Sequence, residues 1–439
     1  MNGETSKLKK MKNGRRRAVI TGVGMVTPLG AGADETFRGL CAGKTAVGEL
    51  EEFKRHGFAV HIGAQVRQAA ELMDKYPDSR KYFSRKLAFM LSALDEAAAG
   101  SGIEDFQKVS CGIFMGIETS RISFEKAYEI FKRSGGHDFK VDYGLFAKNC
   151  LDLLNKDEIR NKFPFFIPGY LAARYKIRGP VMATSNACAS SNYAIGEALR
   201  RIRSGEIDVA VAGSCDEMID AYILTGFNLL GALSANNEEA ASASRPFDLN
   251  RDGFVLGEGG AAIILEELEH ALARGANIIC EVSGYASSSD AEKITACRPD
   301  GGMMKLAMER AIKDSGIPLA DFSYVNPHAT STRLNDASET RAIKSLFGEH
   351  CRNIVVSATK SMIGHSVAAA GAIEAVVTAL SVKNDICHPT ANLKTPDPAC
   401  DLDYCPGGAR KMIIKAAISN SCGFSGGNSS VVFNKIGEF

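Results

Sequence analysis

At 439 residues with 45% hydrophobic content, the chain can bury a large core and exceeds the usual size of one simple domain. Lys and Arg total 52 against 51 for Asp and Glu, so no global field points to nucleic acid, and any basic docking site must be local. Twelve cysteines without a short-chain disulfide pattern, and the lack of a signal-peptide or membrane-spanning apolar run, favour a reducing cytoplasm and exclude a disulfide scaffold.

Residues 1–17, with Lys7, Lys9, Lys10, Lys12 and Arg15 to Arg17, read as a solvated basic tail. Ala18-Val19-Ile20-Thr21 then has a buried-strand pattern that ends in the turn Gly22-Val23-Gly24. That GxG lacks the third glycine of a dinucleotide fingerprint, because Thr27 holds its place. A region of weaker periodicity and many charges, about 114–165, reads as an insertion forming a lid, a partner contact or both. Next comes Thr184-Ser185-Asn186-Ala187-Cys188-Ala189-Ser190-Ser191, where an apolar approach meets a helix of small residues. A helix N-terminus offers free N–H groups and partial positive charge, so it favours a thiolate and can hold an oxyanion.

Ile195, Ala198, Leu199 and Ile202 recur at helical spacing, Gly205 supplies a stop, and Val209–Ala212 reads as a buried strand. The later part repeats the plan. Ile354-Val355-Val356 is a predicted strand, a loop carries Lys360 and His365, and a helix follows from about Val367 to Leu380. Two similar halves, 18–268 and 269–439, each place a reactive residue before a helix suited to burial between sheets. Cys400 and Cys405 near His388 have no fourth ligand or second paired spacing, so no metal site is expected.

Taken singly, Cys188, His328 or His365 could be an ordinary packed residue. The joint occurrence of Asn326-Pro327-His328-Ala329-Thr330-Ser331-Thr332, Lys360-Ser361-Met362-Ile363-Gly364-His365 and Asn420-Ser421-Cys422-Gly423-Phe424-Ser425-Gly426-Gly427-Asn428 with the Cys188 run is far more specific. With Arg245-Pro246-Phe247-Asp248 and Arg251–Gly259, these runs resemble the β-ketoacyl-acyl-carrier-protein synthases of the decarboxylating Cys-His-His type, most closely the synthase II kind.

The resemblance implies the thiolase fold, a five-layered αβαβα sandwich of two similar βα halves, and usually a homodimer. It implies Cys188 as nucleophile, His328 and His365 as donors to the thioester carbonyl, Lys360 paired with Glu374, and the N–H groups of Cys188 and Phe424 as an oxyanion hole. Phe424 and Ser425 would form a gate, Thr330 and Thr332 would bind the pantetheine arm, and Phe227 and Thr119 would line the acyl pocket. No metal or cofactor is implied beyond the phosphopantetheine of an acyl carrier protein. That acidic partner would meet a local cationic patch, with Lys81, Arg85, Lys86, Arg200, Arg201 and Arg203 as candidates.

The chain departs from the family pattern in several places. Pro327 and Ala329 flank the first histidine and restrict that turn without touching the chemistry, Ser425 and Cys422 stand at the gate where glycine and an aromatic are usual, Glu118-Thr119-Ser120 replaces small residues beside the acyl chain, and Ala235-Asn236 with Glu238 and Glu239 stand where a basic docking residue is usual. Those at Ser425, Glu118 and the docking surface leave open a specialised polyketide-like ketosynthase. Two further readings remain: a chain-length-determining partner in a heterodimer, and a degradative thiolase using Cys422 as its second cysteine.

Overall fold

A computed structural model describes residues 15–135 and 140–437, so Lys7 to Lys12 of the expected tail lie outside the described residues. Ten strands form its main sheet: β1 (Ala18–Val26), β2 (Cys111–Gly116), β3 (Val181–Thr184), β4 (Val209–Glu217), β5 (Glu258–Glu267), β6 (Cys280–Ser289), β7 (Phe322–Asn326), β8 (Val355–Val356), β9 (Ala416–Cys422) and β10 (Gly427–Asn434). The helices that position the site are α1 (Arg85–Ser101), α2 (Ser190–Ser204), α3 (Ala221–Leu229), α4 (Gly302–Ser315), α5 (Arg333–Phe347) and α6 (Ala370–Asn384).

The strand order is β8-β7-β9-β10-β6-β1-β5-β4-β2-β3. It divides into two five-strand sets with the same pattern. In one set β3, β2 and β4 run parallel, then β5 and β1 follow antiparallel. In the other, β8, β7 and β9 run parallel, then β10 and β6 follow antiparallel. The seam is a short antiparallel pairing of Ala18–Ile20 with Val282–Cys280. Helix α1 covers the first set from outside, α4 covers the second, and α2 and α6 pack together between them. This is the thiolase-like fold, with helix, sheet, helix, sheet and helix in succession.

Burial explains the middle layer. Every residue of α6 from Ala370 to Val382 is buried, so its apolar surface runs all round the helix instead of along one stripe. Val367–Asn384 is long and apolar enough to cross a membrane, contrary to the sequence reading of no such run. Its burial in the core accounts for that composition.

Three sequence expectations change. The strand at Ala18 does not turn at Gly22; β1 runs on to Val26, with a register shift between Ile20 and Gly22. Cβ atoms at Gly22 and Gly24 would lie 2.0 Å from the carbonyl oxygens of Ala97 and Ala93, so these glycines let α1 lie directly on the strand. Arg16 and Arg17 are not solvated tail, since Arg16 pairs with Asp208 and buried Arg17 donates to Glu281 at 2.9 Å. The insertion does not begin at Phe114, because Phe114–Gly116 completes β2. The helices Phe124–Arg133, Tyr143–Leu153 and Lys156–Arg160 follow, and Phe166–Tyr175 leads back towards β3.

Candidate active site

Cys188 lies four residues past the end of β3 and two before α2, on a turn that forces Ala187 to φ 46°. That left-handed backbone is uncommon for a residue with a Cβ and marks a strained elbow. The turn is fastened by Ser190, whose Oγ accepts from Asn186 N–H and donates to Ala187 O, each at 2.7 Å.

His328 follows β7 by two residues, and its orientation is held by a group that the sequence analysis missed. The Glu339 carboxylate, on α5, accepts from the N–H groups of His328 and Ala329 at 2.9 Å each and from Asn420 Nδ2 at 3.1 Å. Its legible signal was an acidic residue on the buried face of an amphipathic helix. The link to a histidine eleven residues earlier was not legible. His365 is fixed through its backbone, which donates to Val255 O at 2.8 Å and accepts from Gly257 N at 3.0 Å, while the Phe254 ring stands edge-on to the imidazole. The run Arg251–Gly259 therefore serves the site by holding a histidine. Lys360 does not lie in an open loop; it begins the one-turn helix Lys360–Ile363.

These loops bring three side chains together. His365 Nε2 is 3.1 Å from Cys188 Sγ, the two imidazole rings are 5.3 Å apart and nearly perpendicular, and the three potential ligand atoms lie within 4.8 Å of one another. All three residues are buried. They line a cavity of about 220 Å³ together with Phe227, Thr330, Thr332 and Phe424. Thr330 and Thr332 share a hydroxyl contact of 3.1 Å. Thr119 is elsewhere: it lines a second cavity, which Lys86 and Asp216 also line.

Electrostatics defines the resting state. Burial pushes the Cys188 thiol up to about 12; Lys360 and hydrogen bonds from the N–H groups of Phe424 and Cys188 itself pull the other way, and Glu118 adds to the rise. Burial thus favours the neutral thiol, and the helix start does not by itself yield the thiolate expected from the sequence. Burial and the Lys360 charge hold both histidines well below the ordinary imidazole value, which keeps them neutral N–H donors. Lys360 Nζ donates to Glu374 Oε1 at 2.6 Å in a fully buried pair, and burial raises the Glu374 carboxyl while Lys360 lowers it.

Phe424 packs against Phe227 at 6.0 Å. A Cβ at Gly423 would lie 3.0 Å from Asn186 O and 3.3 Å from Cys188 N, so a side chain there would press on the nucleophile turn. Ser425 holds φ 73°, and its N–H is donated to Ile294 O. Cys422 lines the same cavity, but burial, Glu339, Cys297 and Asp290 raise its thiol well above the ordinary value, which makes it a poor proton shuttle. Cys400, Cys405 and His388 are not brought together; among the described residues, the group with metal-ligand spacing is Cys188, His328 and His365.

Two cations of the expected docking patch are excluded. Lys86 is 1% exposed and donates to Glu118 O, and Arg203 is held by Asp314. Arg85 is engaged by Glu258 and Arg201 by Glu197 and Glu206, and Arg200 also reaches Glu197 at 3.8 Å but, like Lys81, stays exposed, so these two are the more accessible candidates.

A thiolase-like sandwich with a buried Cys-His-His centre defines a class of carbon-carbon bond-forming acyltransferases. The chain belongs to the β-ketoacyl synthase family: residues 15–271 match the beta-ketoacyl synthase N-terminal domain and residues 279–394 the C-terminal domain. It is 38% identical to 3-oxoacyl-[acyl-carrier-protein] synthase 2 of Synechocystis sp., covering 96% of this chain and 98% of that one. It is 34% identical to the actinorhodin polyketide putative beta-ketoacyl synthase 1 of Streptomyces coelicolor, covering 98% and 90%. A type II polyketide ketosynthase solved in complex with its acyl-carrier protein superposes with a TM-score of 0.85 at 33% identity, covering 96% of this chain and 99% of that one.

Proposed function

We propose that the chain is a 3-oxoacyl-[acyl-carrier-protein] synthase that lengthens an acyl group by two carbons through decarboxylative Claisen condensation. The observation that carries this reading is the meeting of Cys188 Sγ with the two neutral imidazoles around one cavity. Cys188 attacks the carrier-bound acyl thioester, the C–S bond to the pantetheine breaks, and the thiol proton leaves with that sulfur. The N–H groups of Cys188 and Phe424, already directed at the sulfur, serve the tetrahedral oxyanion.

Malonyl carrier protein then brings its thioester carbonyl against the Nε2–H groups of His328 and His365. Cleavage of the bond to the carboxylate releases CO₂ and leaves its electron pair in an enolate, whose oxygen these donors stabilise. The enolate carbon attacks the acyl-Cys188 carbonyl, the C–S bond breaks, and Cys188 regains a proton from solvent. Burial, with the nearby Lys360 charge, keeps both imidazoles neutral, and that charge favours the returning thiolate. Thr330 and Thr332 hydrogen-bond the pantetheine arm, and Phe424 with Ser425 gates the cavity. The sequence requires no metal and no cofactor beyond the carrier's phosphopantetheine.

The partner is an acyl carrier protein, and the site is cytoplasmic. The assembly is a homodimer; its support is the edge strand β3, with Val181 45% and Met182 36% exposed and an unpaired outer edge that offers a template for a second strand. The relatives include both fatty-acid and polyketide synthases. A polyketide-like ketosynthase is therefore the second reading. A non-catalytic heterodimer partner fits less well, because all three reactive side chains are present and converge.

The test combines intact-mass detection of acyl-Cys188 after incubation with acyl carrier protein and measurement of CO₂ from malonyl carrier protein. Acylation without CO₂ release, or CO₂ release without chain extension, overturns the proposal. Light scattering, with identification of any co-purifying subunit, decides homodimer against heterodimer.

A further inference from the structure

A thioester carried on a protein-bound pantetheine arm reaches Cys188 only through an opening in the surface, so the body of the carrier must rest on the rim of that opening. The rim is identifiable. Of the residues that line the cavity around Cys188, the exposed ones are Leu230, Gly231, Thr295 and Leu334, so they mark where it meets solvent. Their chain neighbours Leu229 and Ile294 stand outside the lining and are 81% and 79% exposed.

Four large aliphatic side chains thus gather at one mouth from three separate segments: the end of α3, the loop after β6 and the start of α5. The Ile294 carbonyl also accepts the Ser425 N–H, which sets this loop against the gate. Leu229 further lines a hollow of about 300 Å³ with Phe58, Val60 and Leu224, so apolar surface continues beside the mouth. Single exposed leucines are ordinary, but a convergent group of them marks an interaction site. Charge is sparse by comparison. Residues 221–244, which supply Leu229 and Leu230, hold no lysine or arginine and two acids, Glu238 and Glu239. The basic residues next to Ile294 and Leu334 are Lys293, itself beside Glu292, and Arg333. Neither these two nor Lys81 and Arg200 line the cavity.

Resting on the condensing-enzyme reading above, we infer that the carrier protein docks on this aliphatic rim, through an apolar surface around its own pantetheine attachment, instead of through the cationic patch expected from the sequence. The rim leaves water only when such a partner covers it. That burial, unlike attraction between exposed charges, is not screened by salt.

The experiment compares initial rates of Cys188 acylation, read by intact mass, from an octanoyl-loaded type II acyl carrier protein and from octanoyl-pantetheine, which needs no docking. Between about 50 and about 500 mM NaCl the KM for the carrier should rise by no more than about threefold, whereas charge-driven docking would raise it roughly tenfold or more. Leu229→Glu and Ile294→Glu should each raise that KM roughly tenfold or more and leave the rate from octanoyl-pantetheine unchanged. Lys293→Gln combined with Arg333→Gln should change it by no more than about threefold. The salt series uses the wild type and stands even if a variant fails to fold. A steep rise of KM with salt, a larger effect from neutralising the cations than from folded Leu229→Glu, or an equal fall in the rate from octanoyl-pantetheine overturns the inference. So does a carrier that transfers no faster than octanoyl-pantetheine. Dissociation of a dimer by Leu229→Glu in light scattering also overturns it, because the rim would then belong to a second copy of the chain. If the wild type takes an acyl group from neither donor and releases no CO₂ from malonyl carrier protein, the condensing reading itself fails and the inference falls with it.

Discussion

The two halves share one strand plan but use it for opposite purposes. In the first, the segment after edge strand β3 carries the nucleophile, and the segment after β2 carries Glu118. In the second, the corresponding positions carry Lys360, with His365 beyond it, and His328. The β4 to β5 connection is long and supplies Phe227, Phe254 and the backbone clamp on His365, whereas the β9 to β10 connection is the tight gate around Phe424. The fold thus offers symmetric positions at one centre, and the residue types placed there divide the labour between electrophile capture and carbanion generation.

That division can be broken one half at a time. Cys188→Ala should abolish acyl-enzyme formation in intact-mass spectra while leaving measurable malonyl decarboxylation. His328→Ala or His365→Ala should leave acylation detectable and lower CO₂ release by roughly 10²–10³-fold, the usual loss for one oxyanion donor. Loss of both activities from Cys188→Ala would show that the halves do not separate.

Lys360→Met strands Glu374 as a buried carboxylate and should destabilise the protein by about 3–5 kcal/mol in urea unfolding, whereas Lys360→Met with Glu374→Leu should recover most of that loss. Glu339→Ala removes the acceptor for two backbone N–H groups and should cost about 1–3 kcal/mol of stability, with decarboxylation falling more than acylation because His328 loses its anchor.

The pH dependence sharpens the same contrast. With the Cys188 thiol pushed up to about 12 by burial, alkylation by iodoacetamide should rise steadily from pH 7 to 9; a plateau in that range would instead reveal a resting thiolate. The histidines, shifted below 6.5, stay neutral over that range. Their shift contributes stability that is present above pH 6.5 and is lost as pH falls from 6.5 towards their folded values. The smallest effect is expected at the gate. Ser425→Gly relieves a left-handed φ but adds freedom to the unfolded chain, so stability should change by about 1 kcal/mol or less, with faster acylation if the gate limits access.

The motifs around Cys188, His328, Lys360, His365 and Phe424 were legible because each is a contiguous run whose small residues and glycines are dictated by local backbone. The buried helices after Cys188 and His365 were legible from hydrophobic period and composition. Glu339 and Phe254 as supports of the histidines were not assigned, since each acts across a gap in sequence that only the tertiary fold closes. The misread turn at Gly22 has the same origin. A glycine that admits a packing helix looks, in one dimension, like a glycine that bends the chain.

The sequence by itself determined the doubled βα plan through its periodicity and, through the family resemblance that its short motifs carry, the αβαβα class and the identities of the reactive groups, because periodicity and motifs are local properties. Only the tertiary structure decided their protonation and their neighbours. Burial overrode the helix start at Cys188 and turned Lys86 and Arg203 from candidate docking residues into buried or ion-paired ones. Desolvation and through-space charge depend on what the whole chain packs around a group, and no window of sequence contains that sum.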